Sequence, residues 1–323
     1  MNIEIGMNLI NLRGNSCSMN RRYFIQSSSL IFMSALSMGH MPNFSSENKL
    51  RLGGPLFKNY QGPEEWAQTV KAYGYSAAYC PVGLDAKMDD IKKYEQEAKK
   101  QDIIIAEVGA WSNPISPDDK TAAEAFEKCT RSLDLADKIG ANCCVNIAGS
   151  KNSENWAGPH PDNFSEETFD QIVETTRKII DEVKPSRTFF TLEAMPWIFP
   201  ESPDSYLRLI KSIDRKAFAV HLDPVNMVVS PAIFYRNGAL IKECFQKLGP
   251  YIKSCHAKDL ILKERTYMPQ FDEVIPGRGH MDYSVFLREL KKYPYIPLMM
   301  EHLNTEEEYK EGADFILKTN ESV

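Results

Sequence analysis

The stretch "AVHLDPVN", residues 219–226, decides how the chain is read. Ala219 and Val220 open a short apolar run, His221 and Asp223 stand two apart within it, and Pro224 cuts it off. Side chains at i and i+2 of a strand point to the same face. If the strand is buried, it turns an imidazole and a carboxylate into one enclosed space, where polar groups without partners are costly. Their partners must then come from neighbouring strands.

Working outward, similar short apolar runs recur through the chain. They are "LRLGGPLF" (50–57), "SAAYCPV" (76–82), "DIIIAEVGAW" (102–111), "NCCVNIAG" (142–149), "TFFTLEAM" (188–195), "FAVHLD" (218–223), "IKSCHAKD" (252–259) and "PLMMEHL" (297–303). Runs of this kind suit parallel strands covered on both faces. Amphipathic stretches lie between them. "PEEWAQTVKAYG" opens on proline and acids and closes on glycine, and "SEET" and "SPDS" are N-terminal capping sequences. Strict alternation of eight strands with eight helices predicts an α/β chain folded as a (β/α)8 TIM barrel. A doubly wound open sheet shares the alternation, but no glycine-rich phosphate fingerprint follows the first strand. No linker interrupts residues 49–323, which are read as one domain. Residues 149–165 form a long loop expected to cover part of the barrel mouth.

Bulk properties narrow the partners. The 323 residues carry a formal net charge of −6 and a pI near 5.7, which opposes a nucleic-acid partner because such a partner favours a basic patch. The seven cysteines are odd in number, form no CxxC pair and sit mostly in apolar runs, as small buried side chains do. Residues 1–48 differ from the rest. "MNRRYFIQSSSLIFMSALSMGH" is basic, then apolar, then small, the layout of an export signal with an imperfect twin-arginine look. Met19 is a plausible start and Ser37 lies near a plausible cut. The expectation is an exported, periplasmic protein, with a cytoplasmic one as the alternative. The apolar core of the leader is short for a membrane span, so no stable membrane insertion is expected after processing. A homodimer stays open.

Active sites of such barrels lie at the C-terminal strand ends. Glu107 and Asn146 end the third and fourth strands, and Glu193 ends the fifth. His221 and Asp223 end the sixth, His256 and Lys258 the seventh, and Glu301 the eighth. Two glutamates, an aspartate and a histidine on four successive strands suit a divalent ion. Mn²⁺ is the first expectation, with Mg²⁺, Co²⁺ or Zn²⁺ as alternatives. Glu107, Trp111, Trp197, His221, Asn226, Lys258 and Arg278 are candidate substrate contacts, the two tryptophans as an apolar wall for a sugar face. His160 and His280 are further loop candidates.

The segments "LEAMPW", "HLDPVN", "CHAKD", "IPGRGHMDY" and "MMEHLN" together resemble the xylose isomerase-like superfamily, the sugar isomerase and epimerase barrels related to tagatose and psicose 3-epimerases. The similarity covers most of residues 49–320. It implies that Glu193, Asp223, His256 and Glu301 hold the metal, and that Gly277 and Gly279 of "PGRG" bring backbone close to substrate. In those epimerases a histidine commonly stands three residues after the strand-six aspartate, whereas here it is Asn226.

The expected chemistry is proton removal beside a carbonyl through an enediolate, with Glu193 and Glu301 as base and acid. A sugar isomerase or epimerase is the first reading. The runner-up is a metal-dependent lyase that eliminates the aglycone of a 3-keto-glycoside. An endonuclease-like phosphodiesterase and a non-catalytic sugar-binding barrel stand behind them, the first opposed by the acidic charge and the second by the paired carboxylates.

Overall fold

The computed structural model describes residues 49–264 and 267–323, and the expected leader over residues 1–48 lies outside the described residues. Strands β1 (Arg51–Gly53), β2 (Ala77–Tyr79), β3 (Ile104–Gly109), β4 (Cys143–Asn146), β5 (Phe190–Glu193), β6 (Phe218–Leu222) and β7 (Ile252–Ala257) alternate with helices. These are α1 (Gly62–Ala72), α2 (Met88–Lys100), α3 (Asp119–Ile139), α4 (Glu166–Val183), α5 (Pro203–Ile213), the short α6 (Pro231–Phe234) and α7 (Asn237–Leu248). A hairpin follows, β8 (Asp259–Leu262) with β9 (Phe271–Val274), then α8 (Tyr283–Leu290), β10 (Pro297–Met300) and α9 (Glu306–Glu321).

Eight strands form one parallel sheet in the order β1-β10-β7-β6-β5-β4-β3-β2. Ser76 N donates to Leu52 O at 2.9 Å, which links the two ends of the sheet. The result is a nearly closed (β/α)8 barrel. Helix starts follow the local chemistry. The side chains of Asp118, Ser165 and Thr305 cap α3, α4 and α9, and Ser202 with Ser205 forms a reciprocal capping box on α5. The two-stranded β8–β9 hairpin and α6 were not expected from the sequence. The hairpin interrupts what reads as a loop, because its strands are only four residues long and β9 places two charges side by side, without strand alternation.

Apolar packing divides in two. The large cluster lies between sheet and helices, with Trp66, Tyr206, Phe190 and Phe286 fully buried. A small second cluster of Ala77, Ala106 and Met299 belongs to the barrel interior. Above it the interior is polar, which departs from the branched apolar filling usual for this architecture. Two register shifts aim that polar layer. The β2–β3 pairing steps from Ala78↔Ile105 to Tyr79↔Glu107 and skips Ala106, so Ala106 and Glu107 both reach the interior. The β6–β7 pairing skips Lys253, so Ser254 and His256 face inward although Ile252 packs outward. Irregularities of this kind re-aim side chains next to active sites.

Tyr206 of α5 ties β5 to β6. Its hydroxyl donates to Leu192 O, contacts Ala219 O at 3.2 Å and accepts from His221 N at 3.2 Å. Tyr206→Phe strands these buried backbone groups and is expected to lower stability by about 1–3 kcal/mol, measured by urea denaturation; an unchanged midpoint refutes this role.

Candidate active site and metal centre

Glu193, Asp223, His256 and Glu301 arrive from β5, the end of β6, β7 and the end of β10, and each offers a donor atom within 4.8 Å of all the others. His256 Nδ1 stands 2.8 Å from Glu301 Oε1, 3.1 Å from Glu193 Oε1 and 3.7 Å from Asp223 Oδ2. The turn after β6 organises Asp223: Val225 N and Asn226 N donate to its Oδ1 at 2.9 and 3.2 Å, which leaves Oδ2 for the cluster.

A second layer holds His256 from below. Glu107 is 2% exposed, and its Oε1 lies 3.3 Å from His256 Nε2. Its Oε2 takes His221 Nε2 at 2.8 Å and the Ser254 hydroxyl at 2.9 Å. Burial pushes the Glu107 carboxyl up, but His221 and His256 outweigh it and hold the group well below the usual carboxylate range. An ionised Glu107 holds one His256 proton on Nε2, so the proton the ring gives up is the one on Nδ1, and its loss frees the nitrogen that faces the three carboxylates as a ligand atom. A metal-binding histidine is usually oriented this way.

Lys258 covers the cluster. Its Nζ is 2.7 Å from Glu301 Oε1, 2.8 Å from Asp223 Oδ2 and 3.7 Å from Glu193 Oε1. The two nearest oxygens are nonetheless buried without a hydrogen bond of acceptable geometry. These three carboxylates and Glu107 beneath them face one ammonium and one imidazolium, Lys258 and His256, which leaves an excess of negative charge. Two orphaned buried oxygens and an oxygen-rich donor set fit a divalent cation.

The carboxylates differ in their electrostatics. Burial dominates at Glu193 and raises its carboxyl despite His256 and Lys258. At Glu301 burial is outweighed by the same two cations, and the carboxyl is held down to about 2. Asp223 is lowered likewise, with Lys258 and then His256 overcoming burial. His256 is driven well above its ordinary value by Glu301, Glu193 and Glu107, although burial pulls the other way. Asn226 bridges the site, its Nδ2 donating to Glu193 Oε1 at 3.0 Å and its Oδ1 lying 3.4 Å from Lys258 Nζ.

The cluster forms the floor of a cavity of about 1010 Å³ whose lining includes Glu107, Trp111, Glu193, Trp197, Asn226, Lys258 and Glu301. Asp223 and His256 are completely buried beneath it. Two expected substrate contacts are not brought to this cavity. His221 is completely buried against Glu107, with its ring centroid 4.1 Å from that of His256. Arg278 is turned outward in a paired contact with Glu311 at 2.6 and 2.7 Å, since the loop bearing it closes on another group. Gly277 N, Gly279 N, Met281 N and Leu260 N all donate to the Asp259 carboxylate at 2.9–3.0 Å. Gly277 takes φ +96°, and a Cβ at Gly279 would meet Asp259 Oδ1 at 2.2 Å. The glycines of "PGRG" therefore wrap a structural carboxylate rather than approach a substrate. His160 caps a short turn through Asp162 N, and His280 packs on Phe234.

Several lining residues escaped sequence reasoning: Tyr79, Trp156, Glu273 and His302. Glu273 Oε2 contacts His302 Nδ1 at 2.8 Å, and His302 Nε2 lies 3.6 Å from Glu301 Oε1. His302 holds φ +61°, a left-handed conformation uncommon for a side-chain-bearing residue. Its position directly after Glu301 was the one available signal. Glu273 gave none, because it enters on the unexpected hairpin.

No curated protein matches the chain in sequence. Among solved structures, D-psicose 3-epimerase from Clostridium cellulolyticum H10 superposes with a TM-score of 0.61 at 16% identity, covering 85% of this chain and 99% of that one. A probable 3-DHS dehydratase of petrobactin synthesis from Bacillus anthracis gives 0.61 at 17% identity, covering 84% and 99%. The 3-keto-D-glucoside 4-epimerase from E. coli gives 0.60 at 12% identity, covering 84% and 100%. Identities this low establish a shared fold. The family model of the xylose isomerase-like TIM barrel matches residues 67–319, most of the sequence, and the chain belongs to that family.

Proposed function

We propose that the protein is a metal-dependent sugar isomerase or epimerase that removes a proton beside a carbonyl. The observation that carries this reading is the meeting of Glu193, Asp223, His256 and Glu301 within one coordination sphere on the floor of a cavity. A divalent ion held there, with Mn²⁺ the first candidate, would supply Lewis-acid polarisation of the substrate's oxygens. The remaining work falls to side chains. The contacts of Glu193 and Glu301 within the cluster fall on Oε1 in both residues, so each keeps Oε2 for proton transfer. One carboxylate takes the proton from the carbon next to the carbonyl and the other returns one. Lys258 and Asn226 place N–H donors beside the oxygen that gains charge in the enediolate. The solved relatives support this reading, since epimerising a ketose and dehydrating a keto acid both begin with loss of such a proton.

A second reading is supported by the size of the cavity. An oxidised (3-keto) glycoside loses its C2 proton to the same carboxylate, and the electron pair then expels the C1 aglycone oxygen, which leaves with a proton. Incubation of the Mn²⁺-loaded protein in D₂O with D-psicose, D-fructose or a 3-keto-glucoside separates the two. Deuterium beside the carbonyl with the aglycone retained marks epimerisation, and free aglycone marks elimination. Glu193→Gln and Glu301→Gln are expected to slow either outcome by about 10²–10⁴-fold. Absence of both outcomes with all three sugars overturns the proposal.

Two further results are expected from calorimetric titration with Mn²⁺. Glu107→Gln loosens the orientation of His256 and lowers metal affinity by about 10–100-fold. In metal-free protein His256 keeps its proton until well above the ordinary imidazole value of 6.5, and a metal at Nδ1 must displace it. Metal affinity therefore falls as pH is lowered through the raised His256 value, and uptake below that value releases a proton. Proton release that is absent across this range contradicts Nδ1 as a ligand atom.

A further inference from the structure

We infer that the sugar taken by this site carries a bulky apolar substituent, a ring-bearing aglycone seated against Trp111, Trp156, Val228, Val229 and Phe271. This rests on the reading above that the carboxylate floor works on a carbohydrate. Its evidence is the chemical asymmetry of the cavity. Glu193, Asn226, Lys258, Glu273, Glu301 and His302 are joined to one another by contacts of 2.7–3.7 Å and so share one end. Of the other polar lining residues, Glu107 lies beneath His256, and Asp272 is paired with Lys263 at 2.8 Å. The remaining wall is made of apolar and aromatic side chains.

A single sugar ring on the carboxylate floor leaves most of this space unused. The cavity, about 1010 Å³, stands at the upper end of the ~300–1,000 Å³ that pockets for drug-sized ligands span. One tryptophan can serve a hexose face, but valine, methionine and phenylalanine give no hydrogen bond to a hydroxyl, and a hydroxyl pressed against them loses its water. Trp111, Trp156 and Val229 are 37%, 43% and 48% exposed and lie on this one cavity. The lip that carries Trp156 is also built in advance. Ser150 Oγ and Asn163 Nδ2 donate to Gly158 O, Asn152 Nδ2 donates to Pro159 O, and Trp197 Nε1 donates to Ala157 O at 2.5 Å. A pinned apolar lip reduces the ordering cost of binding an apolar group.

A glycoside holds its anomeric carbon as an acetal and has no carbonyl to acidify a neighbouring C–H. A dehydrogenase must therefore act first, taking a hydride and a proton from a ring CH–OH and passing the hydride to a nicotinamide or flavin acceptor.

The test compares methyl and 2-naphthyl 3-keto-β-D-glucosides with the Mn²⁺-loaded protein, reading Kd by calorimetry and tryptophan fluorescence. The naphthyl form is expected to bind at least about tenfold more tightly. Trp156→Ala and Val229→Asp, each checked for an unchanged urea midpoint, are expected to reduce that preference to about twofold or less. Equal affinity for the two sugars, or a preference that survives both substitutions, overturns the inference. Deuterium exchange into the methyl form is read separately. Absence of both exchange and methanol release, with D-psicose and D-fructose inert as well, refutes the catalytic reading, whereas either outcome with no naphthyl preference refutes only the aglycone subsite.

Discussion

The site depends on the mutual repulsion of three crowded carboxylates. Glu193, Asp223 and Glu301 present oxygens within 4.8 Å of one another, and at an effective dielectric near 20 each pair repels by about 3–4 kcal/mol. Lys258 and the His256 ring lie against all three, yet with Glu107 beneath them the carboxylates still outnumber the cations. A divalent cation removes the imbalance, and the rest of the constellation follows from holding it. The turn after β6 occupies one oxygen of Asp223, Asn226 steadies Glu193, and Glu107 beneath His256 selects which imidazole nitrogen faces the charges.

The barrel makes such crowding tolerable by delivering each group from a different rigid strand. The two register shifts matter more here than the regular pairing. Without the step past Ala106 on β3, Glu107 would point toward the helices and His256 would lose its lower partner. Without the step past Lys253 on β7, the inward row of Ser254, His256 and Lys258 would be out of phase with its strand. Tyr206 then locks β5 to β6 from the outside, so the ends bearing Glu193 and Asp223 share one frame.

Above this floor the cavity changes character. Apart from Glu107 beneath His256 and Asp272 paired with Lys263, the charged lining groups belong to the cluster and its rim of Glu273 and His302, while tryptophans and valines form the upper wall. Family membership is settled by the match over residues 67–319, and the chemistry of the floor is consistent with that family. The wall comes from the loops: Trp156 from the segment after β4, Val228 and Val229 from the turn after β6, and Phe271 from the β8–β9 hairpin.

The amino-acid sequence alone determined the barrel, because burial of parallel strands on both faces leaves an apolar run with a period that a single chain displays. It also determined the four carboxylate and imidazole positions, since strand ends can be counted along the chain. His221 and Asp223 betrayed the interior by standing two apart in an apolar run. Only the tertiary structure decided the roles of Glu107 and His221 beneath His256, the outward pairing of Arg278 with Glu311, and the wrapping of Asp259 by the "PGRG" loop. It alone decided the entry of Glu273 and Trp156 into the cavity. Register shifts reverse which face a residue takes, and long loops close on whichever charge lies within reach. Both depend on contacts between segments far apart in the chain, which local periodicity does not encode.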